Sequence, residues 1–354
     1  MNTHAKKSAS PAPLISVVIV TYNAAKYIDA CLTSVLTSSW KPLEIIVVDN
    51  ASTDNSLEKL KKFKQKITLY ALTENIGYTG GNNYAAARAQ GKYAFFLNPD
   101  TKVTSDVFGP LVSAINRTPK VVACQPAVYL LKSPKQLNLT GKVTQYLGFD
   151  WLRDFNSDVL PEAGEITSLS GSGFLIDREM FLRVGAFDEN FFLYFEDSDL
   201  SWRLRLLGYK LWFEPKSNMY HDYKYIPDPK SLLLAKKLYY YERNRLLMLW
   251  KNYSYRTLII LAPMLLCTEI GMLFYCALHG ALVGKIRGYV DLALKIPTMR
   301  ASRSWVQTQR VVSDAELMTR FALSIDFKPF LNPATRYILN PIAILYYRMA
   351  KHLI

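Results

Sequence analysis

Asp100 follows a strand-like run, Phe95-Phe96-Leu97, through Asn98-Pro99. Proline has no N–H to continue a ladder and biases the preceding residue toward extended backbone. Pairing therefore stops, and the Asp100 carboxylate is thrust past a sheet edge. A carboxylate so placed can hold a divalent cation or a ribose hydroxyl; the same tripeptide is also the composition of a plain polar turn. A second group is Glu196-Asp197-Ser198-Asp199, opening a helical stretch that carries Trp202, Leu204, Leu206 and Leu207. A helix start favours negative charge, which accounts for these acids structurally and also keeps a carboxylate ionised, as a general base requires. Between the two lies Asn75-Ile76-Gly77-Tyr78-Thr79-Gly80-Gly81-Asn82-Asn83. Its glycines admit close backbone approach, and amides at the helix start after it can meet an anion. The spacing is neither a dinucleotide fingerprint nor a Walker loop, so a nucleotide diphosphate fits better than a dinucleotide, and an ordinary glycine-rich turn fits too. His221, beyond a strand-like 210–213 and a Glu214-Pro215 turn, gains a ligand role only if the fold returns it beside Asp100.

The intervening pattern supplies the frame. A β-branched run over 15–20 predicts a strand, and the period of Ile28, Cys31, Leu32, Val35 and Leu36 predicts a helix over 24–38. Strands over 44–48, 67–71 and 93–97 alternate with helices over 56–63 and 82–90. Strand, helix, strand implies parallel βαβ units, whose ligands gather outside the carboxyl ends of the strands. Thr21-Tyr22-Asn23, Asp49-Asn50 and Asn98-Pro99-Asp100 all fall at such ends.

The chain of 354 residues is half apolar, enough for one large α/β unit and an appendage. Its net charge of +14 implies an anionic partner, either a phosphorylated small molecule, an acidic membrane surface or nucleic acid. No nucleic-acid-binding module is present, and a carboxylate-rich crevice repels a phosphate backbone, so no nucleic-acid partner is expected. Cys31, Cys124, Cys267 and Cys276 are scattered, which suggests neither disulfides nor zinc and fits a reducing cytosol. Residues 1–13 are expected to be flexible. The apolar run at 14–20 is too short for a secretory core and reads as the first strand.

Taken together, ISVVIVTYN, EIIVVDNASTD, ENIGYTGGNN, FFLNPDT, SGSGFLI, GAFDENFFLYFEDSDLSWRLRLLGY and the later His221 resemble the family 2 inverting glycosyltransferases. They are particularly similar to the rhamnosyltransferase-like branch that builds bacterial surface polysaccharides. The resemblance covers about residues 14–225 and implies a GT-A fold, with a nucleotide-sugar half (14–101) and an acceptor half (102–225) around one mostly parallel sheet. By the same resemblance Thr21, Tyr22, Asn23 and Asp49 hold the nucleoside, and Asn75, Gly80, Gly81 and Asn82 lie near the ribose and diphosphate. The family's metal motif is often Asp-x-Asp. Here Asn98 takes its first position, which leaves Asp100 as the direct ligand, with His221 helping to bind the metal or diphosphate. Asp197 of the Glu196-Asp197 pair is implied as the base, with Asp199 in reserve. The implied reaction is a single displacement with inversion. Its donor is a nucleotide-diphospho-sugar, best guessed as dTDP-rhamnose, and its acceptor is polyprenyl-diphosphate-linked or a glycan. Mn²⁺ or Mg²⁺ would neutralise the leaving diphosphate, the imidazole favouring Mn²⁺. The competing class is a non-catalytic nucleotide-sugar or membrane-binding protein of the same fold.

From 226 to 354 the chain changes character and reads as a helical, amphipathic, membrane-associated region. Residues 236–245 form a basic, aromatic helical segment, either a solvated face or one suited to an anionic surface. The apolar stretch 257–284 is long enough to cross a bilayer but carries Glu269 near its middle and basic residues on both flanks. A bend near Gly271 or Gly280 would keep both flanks on one side as a re-entrant or interfacial pair, which points to the cytoplasmic face of the membrane. Ser313-Asp314-Ala315-Glu316 has capping-box form, and 337–351 again mixes aromatic and basic residues.

Overall fold

The structure is a computed structural model that describes residues 11–223, 232–327 and 331–354. Ten of the thirteen residues expected to be flexible, and the expected boundary at 225/226, lie outside the described residues. The first half runs β1 (Ile15–Thr21), α1 (Ile28–Leu36), β2 (Leu43–Asp49), α2 (Ser56–Lys61), β3 (Thr68–Ala71), α3 (Gly77–Ala86) and β4 (Tyr93–Leu97). There follow β5 (Thr101–Val103), α4 (Phe108–Arg117), β6 (Val121–Leu130), β7 (Ser133–Leu139), β8 (Lys142–Thr144), β9 (Asp150–Leu152), β10 (Gly164–Ile166) and β11 (Gly173–Asp177). Then come α5 (Arg178–Arg183), α6 (Glu196–Leu206) and β12 (Lys210–His221).

The strands join in the order β10-β12-β6-β11-β4-β1-β2-β3, with β5 on β12 and β7 on β6. β1 is parallel to both β2 and β4, as the alternation of strand and helix requires, whereas β11 runs antiparallel between β4 and β6. Side chains alternate along each strand. Val17, Ile19 and Phe95 pack toward α1 and α4, while Val18, Val20 and Phe96 pack toward Ala85 of α3 and Phe181 of α5. Burial on both faces explains the unbroken apolar runs in the sequence.

Two local expectations are corrected. α3 begins at Gly77, a turn earlier than 82, because its glycines pack the helix against β1: a Cβ on Gly81 would stand 2.8 Å from Val20 Cγ1. Contact with the strand outweighs the poor helix propensity of glycine. β12 does not end at Phe213. It passes Pro215 in a bulge between the pairs Glu214↔Pro126 and Asn218↔Ala127, where the missing proline N–H costs no ladder bond, and runs on to His221.

The C-terminal region comprises α7 (Leu232–Asn252), α8 (Tyr255–Leu278), α9 (Leu282–Gln309), α10 (Asp314–Met318) and α11 (Asn340–Ala350). It shares a core with α6, where Trp202 and Leu206 meet Leu247, Met248, Leu261, Met299 and Val306. Ser313 caps α10 by accepting from the Glu316 amide. The basic segment is turned partly inward. Arg243 donates to the Phe191 carbonyl at 2.8 Å, and Asn244 Nδ2 reaches the carbonyls of Phe191, Leu193 and Tyr194 at 3.0, 2.8 and 2.7 Å. These side chains meet carbonyls that the irregular 191–195 loop leaves without ladder partners. α8 is long and apolar enough to cross a membrane. It continues unbroken past Gly271 to Leu278, and the chain turns at Gly280, whose φ of +67° glycine adopts without strain. Glu269 is not left bare, since it meets Arg245 and Lys285, which also pair with Glu242.

Candidate active site

The ends of β1, β2 and β4 open into a cleft of about 300 Å³, lined by Tyr22, Asn23, Asn75, Tyr78, Asn98 and Asp100 among others. Register fixes its floor. Thr21 pairs with Asp49, and the Thr21 hydroxyl donates to the Asp49 carboxylate at 3.1 Å. Asp49 also accepts from the Ser52 hydroxyl and amide at 2.6 and 3.2 Å, so both residues are buried beneath the cleft rather than lining it. Asn75 Oδ1 accepts from Asn50 Nδ2 and the Gly77 amide, both at 2.9 Å, which ties the α3 start to the end of β2. Gly80, Gly81 and Asn82 lie inside α3. The glycine that faces the cleft is Gly77, at φ +79°, where a Cβ would stand 2.5 Å from the Phe192 carbonyl oxygen.

Asp100 and His221 are brought together by strand pairing. β5 lies antiparallel to β12 with His221 opposite Thr101, and His221 Nε2 stands 3.3 Å from Asp100 Oδ1. On its other side His221 Nδ1 is hydrogen-bonded at 2.8 Å to Oδ1 of the buried Asn138. Asp100 Oδ1 is buried with no hydrogen-bond partner. A carboxylate oxygen without a hydrogen-bond partner beside an imidazole nitrogen is a pair of side chains able to ligate a cation. Among the described residues no group of three His, Cys, Asp or Glu side chains converges, so the protein offers an incomplete donor set. Such a set suits a cation whose remaining ligands are phosphate oxygens, and the site fits Mn²⁺ or Mg²⁺ on that condition.

The acid pair is presented by a loop whose Phe192, Tyr194 and Phe195 all take left-handed backbone, at φ +64°, +67° and +69°. Non-glycine residues hold that conformation only where surrounding contacts enforce it, which the α7 clamp on this loop does. Asp197 accepts from Lys142 Nζ and the Ser198 amide on Oδ1, at 2.7 and 2.8 Å, and from the Gly171 amide on Oδ2 at 2.7 Å. Burial alone would lower the pKa of Lys142, but Asp150 and Asp197 beside it hold it above its ordinary value. Glu196 is buried with Oε2 unpartnered; burial, then the neighbouring Asp197, push its pKa up to about 8. Tyr78 stands between cleft and acid pair. Its hydroxyl donates to the Gly171 carbonyl at 2.8 Å; burial, then Glu196 and Asp197, and more weakly Asp100, raise its pKa.

The profile of glycosyl transferase family 2 matches residues 16–185. The chain carries a family 2 glycosyltransferase domain. One relative is the N-acetylglucosaminyl-diphospho-decaprenol L-rhamnosyltransferase of Mycobacterium tuberculosis, 26% identical over 248 residues that cover 63% of this chain and 81% of that protein. The poly-beta-1,6-N-acetyl-D-glucosamine synthase of Staphylococcus aureus is 27% identical over 206 residues, 57% of this chain and 48% of the synthase. Among solved structures, GalNAc-T7 with UDP, GalNAc and Mn²⁺ superposes with a TM-score of 0.59 at 16% identity, over 82% of this chain and 58% of that one. The fold is GT-A.

Three further residues of the glycosyltransferase were not singled out from sequence: Tyr78, Lys142 and Asp150. Tyr78 lies within the glycine-rich stretch 75–83, where the glycines carry the signal. Lys142 and Asp150 belong to a hairpin of two three-residue strands too short to show a period. The reserve carboxylate Asp199 points elsewhere. It is wholly buried and bonded to Arg203 Nε, Lys251 Nζ and Asn252 Nδ2, at 2.8, 2.9 and 2.9 Å. The raised pKa of Glu196 makes the stability of the glycosyltransferase depend on pH. Between the ordinary carboxyl value of 4.5 and about 8 the folded chain keeps a proton that the unfolded chain has lost. That contribution is complete below 4.5 and gone above about 8, so stability falls through this window. Glu196→Gln is expected to raise the thermal midpoint at pH 9 by several degrees over wild type and to leave it unchanged at pH 4. An equal gain at both pH values would assign the effect to packing.

Proposed function

We propose that this glycosyltransferase moves a sugar, L-rhamnose from dTDP-rhamnose, to a hydroxyl of a lipid-linked acceptor in bacterial cell-surface glycan synthesis, with inversion at the anomeric carbon. The single observation that carries the reading is the meeting of Asp100 and His221 at the rim of a cleft whose Tyr78 wall backs through Gly171 onto Asp197. Residues 14–101 serve the donor and 102–225 the acceptor. Tyr22 and Asn23 face the nucleoside, with Thr21 and Asp49 bracing the floor beneath them. Asn75 and Asn98 border the diphosphate, while Gly80, Gly81 and Asn82 set the position of α3.

Asp100 and His221 would hold Mn²⁺ or Mg²⁺ together with donor phosphate oxygens. A bound cation there supplies charge neutralisation for the leaving diphosphate. Asp197, oriented by Lys142 and two amides, takes the proton of the acceptor hydroxyl as that oxygen bonds to the anomeric carbon from the face opposite the diphosphate. One displacement inverts the centre. The rhamnosyltransferase relative, named for a diphospho-decaprenol substrate, supports both the sugar and the lipid-linked acceptor.

Membrane attachment is supported by the apolar faces that α8, α9 and α11 leave exposed, including Ile259, Leu266, Phe274, Leu278, Val283 and Leu345. Such a patch lies well outside what a soluble surface carries without a partner. With the turn at Gly280 and Glu269 neutralised within the bundle, the helices lie on the cytoplasmic face as an interfacial pair.

Incubation with a panel of nucleotide sugars and a lipid-diphosphate-linked acceptor tests the reading. dTDP-rhamnose is expected to be consumed and the product to carry the inverted anomer. Retention, or consumption of no donor, would reject it. Asp100→Ala is expected to weaken metal-dependent donor binding by roughly tenfold or more. An unchanged Mn²⁺ titration of donor affinity would remove Asp100 from the metal site.

A further inference from the structure

A second cavity, of about 590 Å³, lies between α7, α8 and the stretch leading into α11. That volume is ample for a drug-sized ligand. Its walls are apolar, with Phe195, Leu238, Met264, Phe274, Leu278 and Ile342 among them. The charges on its floor neutralise one another, since Arg245 pairs with Glu242 at 2.9 Å and with Glu269. Water gains little by filling such a space and a hydrocarbon gains much.

The two ends of this groove differ in kind. At one end lies Asp150, bonded to the Ser198 hydroxyl and, at 3.1 Å, to Lys142 Nζ, which itself reaches Asp197 at 2.7 Å. At the other, Phe274 and Leu278 are 69% and 83% exposed and join the apolar surface of α8. The groove therefore runs from the apolar outer face of the helices to Asp150, whose partner Lys142 meets Asp197 on Oδ1, whereas Gly171, bonded to Tyr78 of the donor cleft, meets it on Oδ2.

Beside Tyr241 of the groove wall stands Lys237, half-buried, its ammonium 5.7 and 5.3 Å above the rings of Tyr194 and Tyr241. No carboxylate among the described residues pairs with it. Burial, then the nearby Lys142, lower its pKa. Lys142 already serves two carboxylates, so Lys237 is the cation that, among the described residues, is left to meet an incoming anion there. A dry groove open to an apolar surface, with such a cation beside its wall, fits a long hydrocarbon bearing a phosphate head.

We propose that this groove holds the proximal isoprenoid units of the lipid-linked acceptor, with Lys237 gripping its diphosphate, so that the acceptor hydroxyl approaches Asp197 from the side opposite the donor. This rests on the lipid-linked acceptor proposed above and adds where the lipid goes. The groove then acts as a specificity device, because a sugar without the lipid forgoes its contacts and arrives unaligned.

Gly271 offers the means of blocking it. It lines the groove in mid-helix, and a Cβ there meets nothing within 4 Å, so Gly271→Phe fills the space without breaking α8. Two measurements on the full chain test the proposal. In direct binding, farnesyl diphosphate serves as probe. Wild type is expected to bind it at least tenfold more tightly than inorganic diphosphate, and both Gly271→Phe and Lys237→Glu are expected to remove that preference. Equal affinity for the two probes, equal competition by phosphatidylglycerol vesicles, or unaltered binding in both variants would overturn the groove's assignment. In transfer, Gly271→Phe is expected to raise the KM of a polyprenyl-diphosphate-linked acceptor at least tenfold relative to that of the same sugar on a short soluble aglycone. An unchanged ratio overturns the proposal. Farnesyl diphosphate binding without sugar transfer would instead reject the transferase reading and leave the groove standing.

Discussion

Asp197→Asn is expected to cut sugar transfer by about 10²–10⁴-fold, the usual worth of a general base, while donor affinity stays within about twofold of wild type. Asparagine matches aspartate in shape but turns one of two acceptor oxygens into a donor. Both oxygens of Asp197 face donors, Lys142 Nζ on one side and the Gly171 amide on the other, so the amide group must meet a donor whichever way it turns. The disturbance stays local. The donor cleft lies beyond Tyr78, which bonds the Gly171 carbonyl rather than Asp197 itself. Loss of transfer with donor binding intact therefore locates the defect at the proton-accepting step. Near-normal turnover by the folded variant would strip Asp197 of the role. The neighbouring acid supplies a control: with a pKa of about 8, Glu196 as base would make the rate climb from pH 7 to pH 9 and Glu196→Gln would abolish it. Retained transfer in Glu196→Gln keeps the assignment with Asp197.

How much of this arrangement was legible in sequence depended on how local its cause was. β1, β2 and β4 fall within a residue or so of their expected limits because buried β-branched runs admit little else. The carboxylate after Pro99 was legible for the same reason, being fixed by the chemistry of its own turn. Its meeting with His221 was not. That needs β12 to survive Pro215, and the bulge that allows it depends on β6 alongside. Glycines 80 and 81 read as a ligand loop because composition shows their freedom and not the strand they pack against. Arg243 and Arg245 read as a charged face because sequence shows the charge and not the carbonyls and carboxylates awaiting it. Lys142 gave no signal at all, since its meaning lies wholly in a contact with Asp197 across the fold.

The largest effect on stability is expected at Asp199, the carboxylate that sequence alone could not separate from Asp197. Two positions apart on a helix, the pair diverge by about 200°, so one faces the β8–β9 hairpin and the other faces α7. Asp199 is wholly buried between Arg203 and Lys251, and Lys251 also holds Asp188 at 2.8 Å. Asp199→Ala leaves two buried cations short of a counter-charge and removes the link from α6 to the end of α7. Breaking a buried pair on one side costs about 3–5 kcal/mol, which in a chain of this size lowers the thermal midpoint by about 4–7 °C. Arg203 retains the Val184 and Ala186 carbonyls at 2.5 and 2.7 Å, so the folded variant remains obtainable at low temperature. There its transfer rate is expected to stay within a few-fold of wild type. Acid should weaken the same lysine's other contact: against the cost of burial, Lys251 holds the Asp188 carboxyl well below its ordinary pKa of 3.8. The stability this supplies is complete above that value and drains away as pH falls beneath it. A variant of unchanged thermal midpoint that binds donor and transfers nothing would reverse the two roles, making Asp199 the base and Asp197 the structural acid.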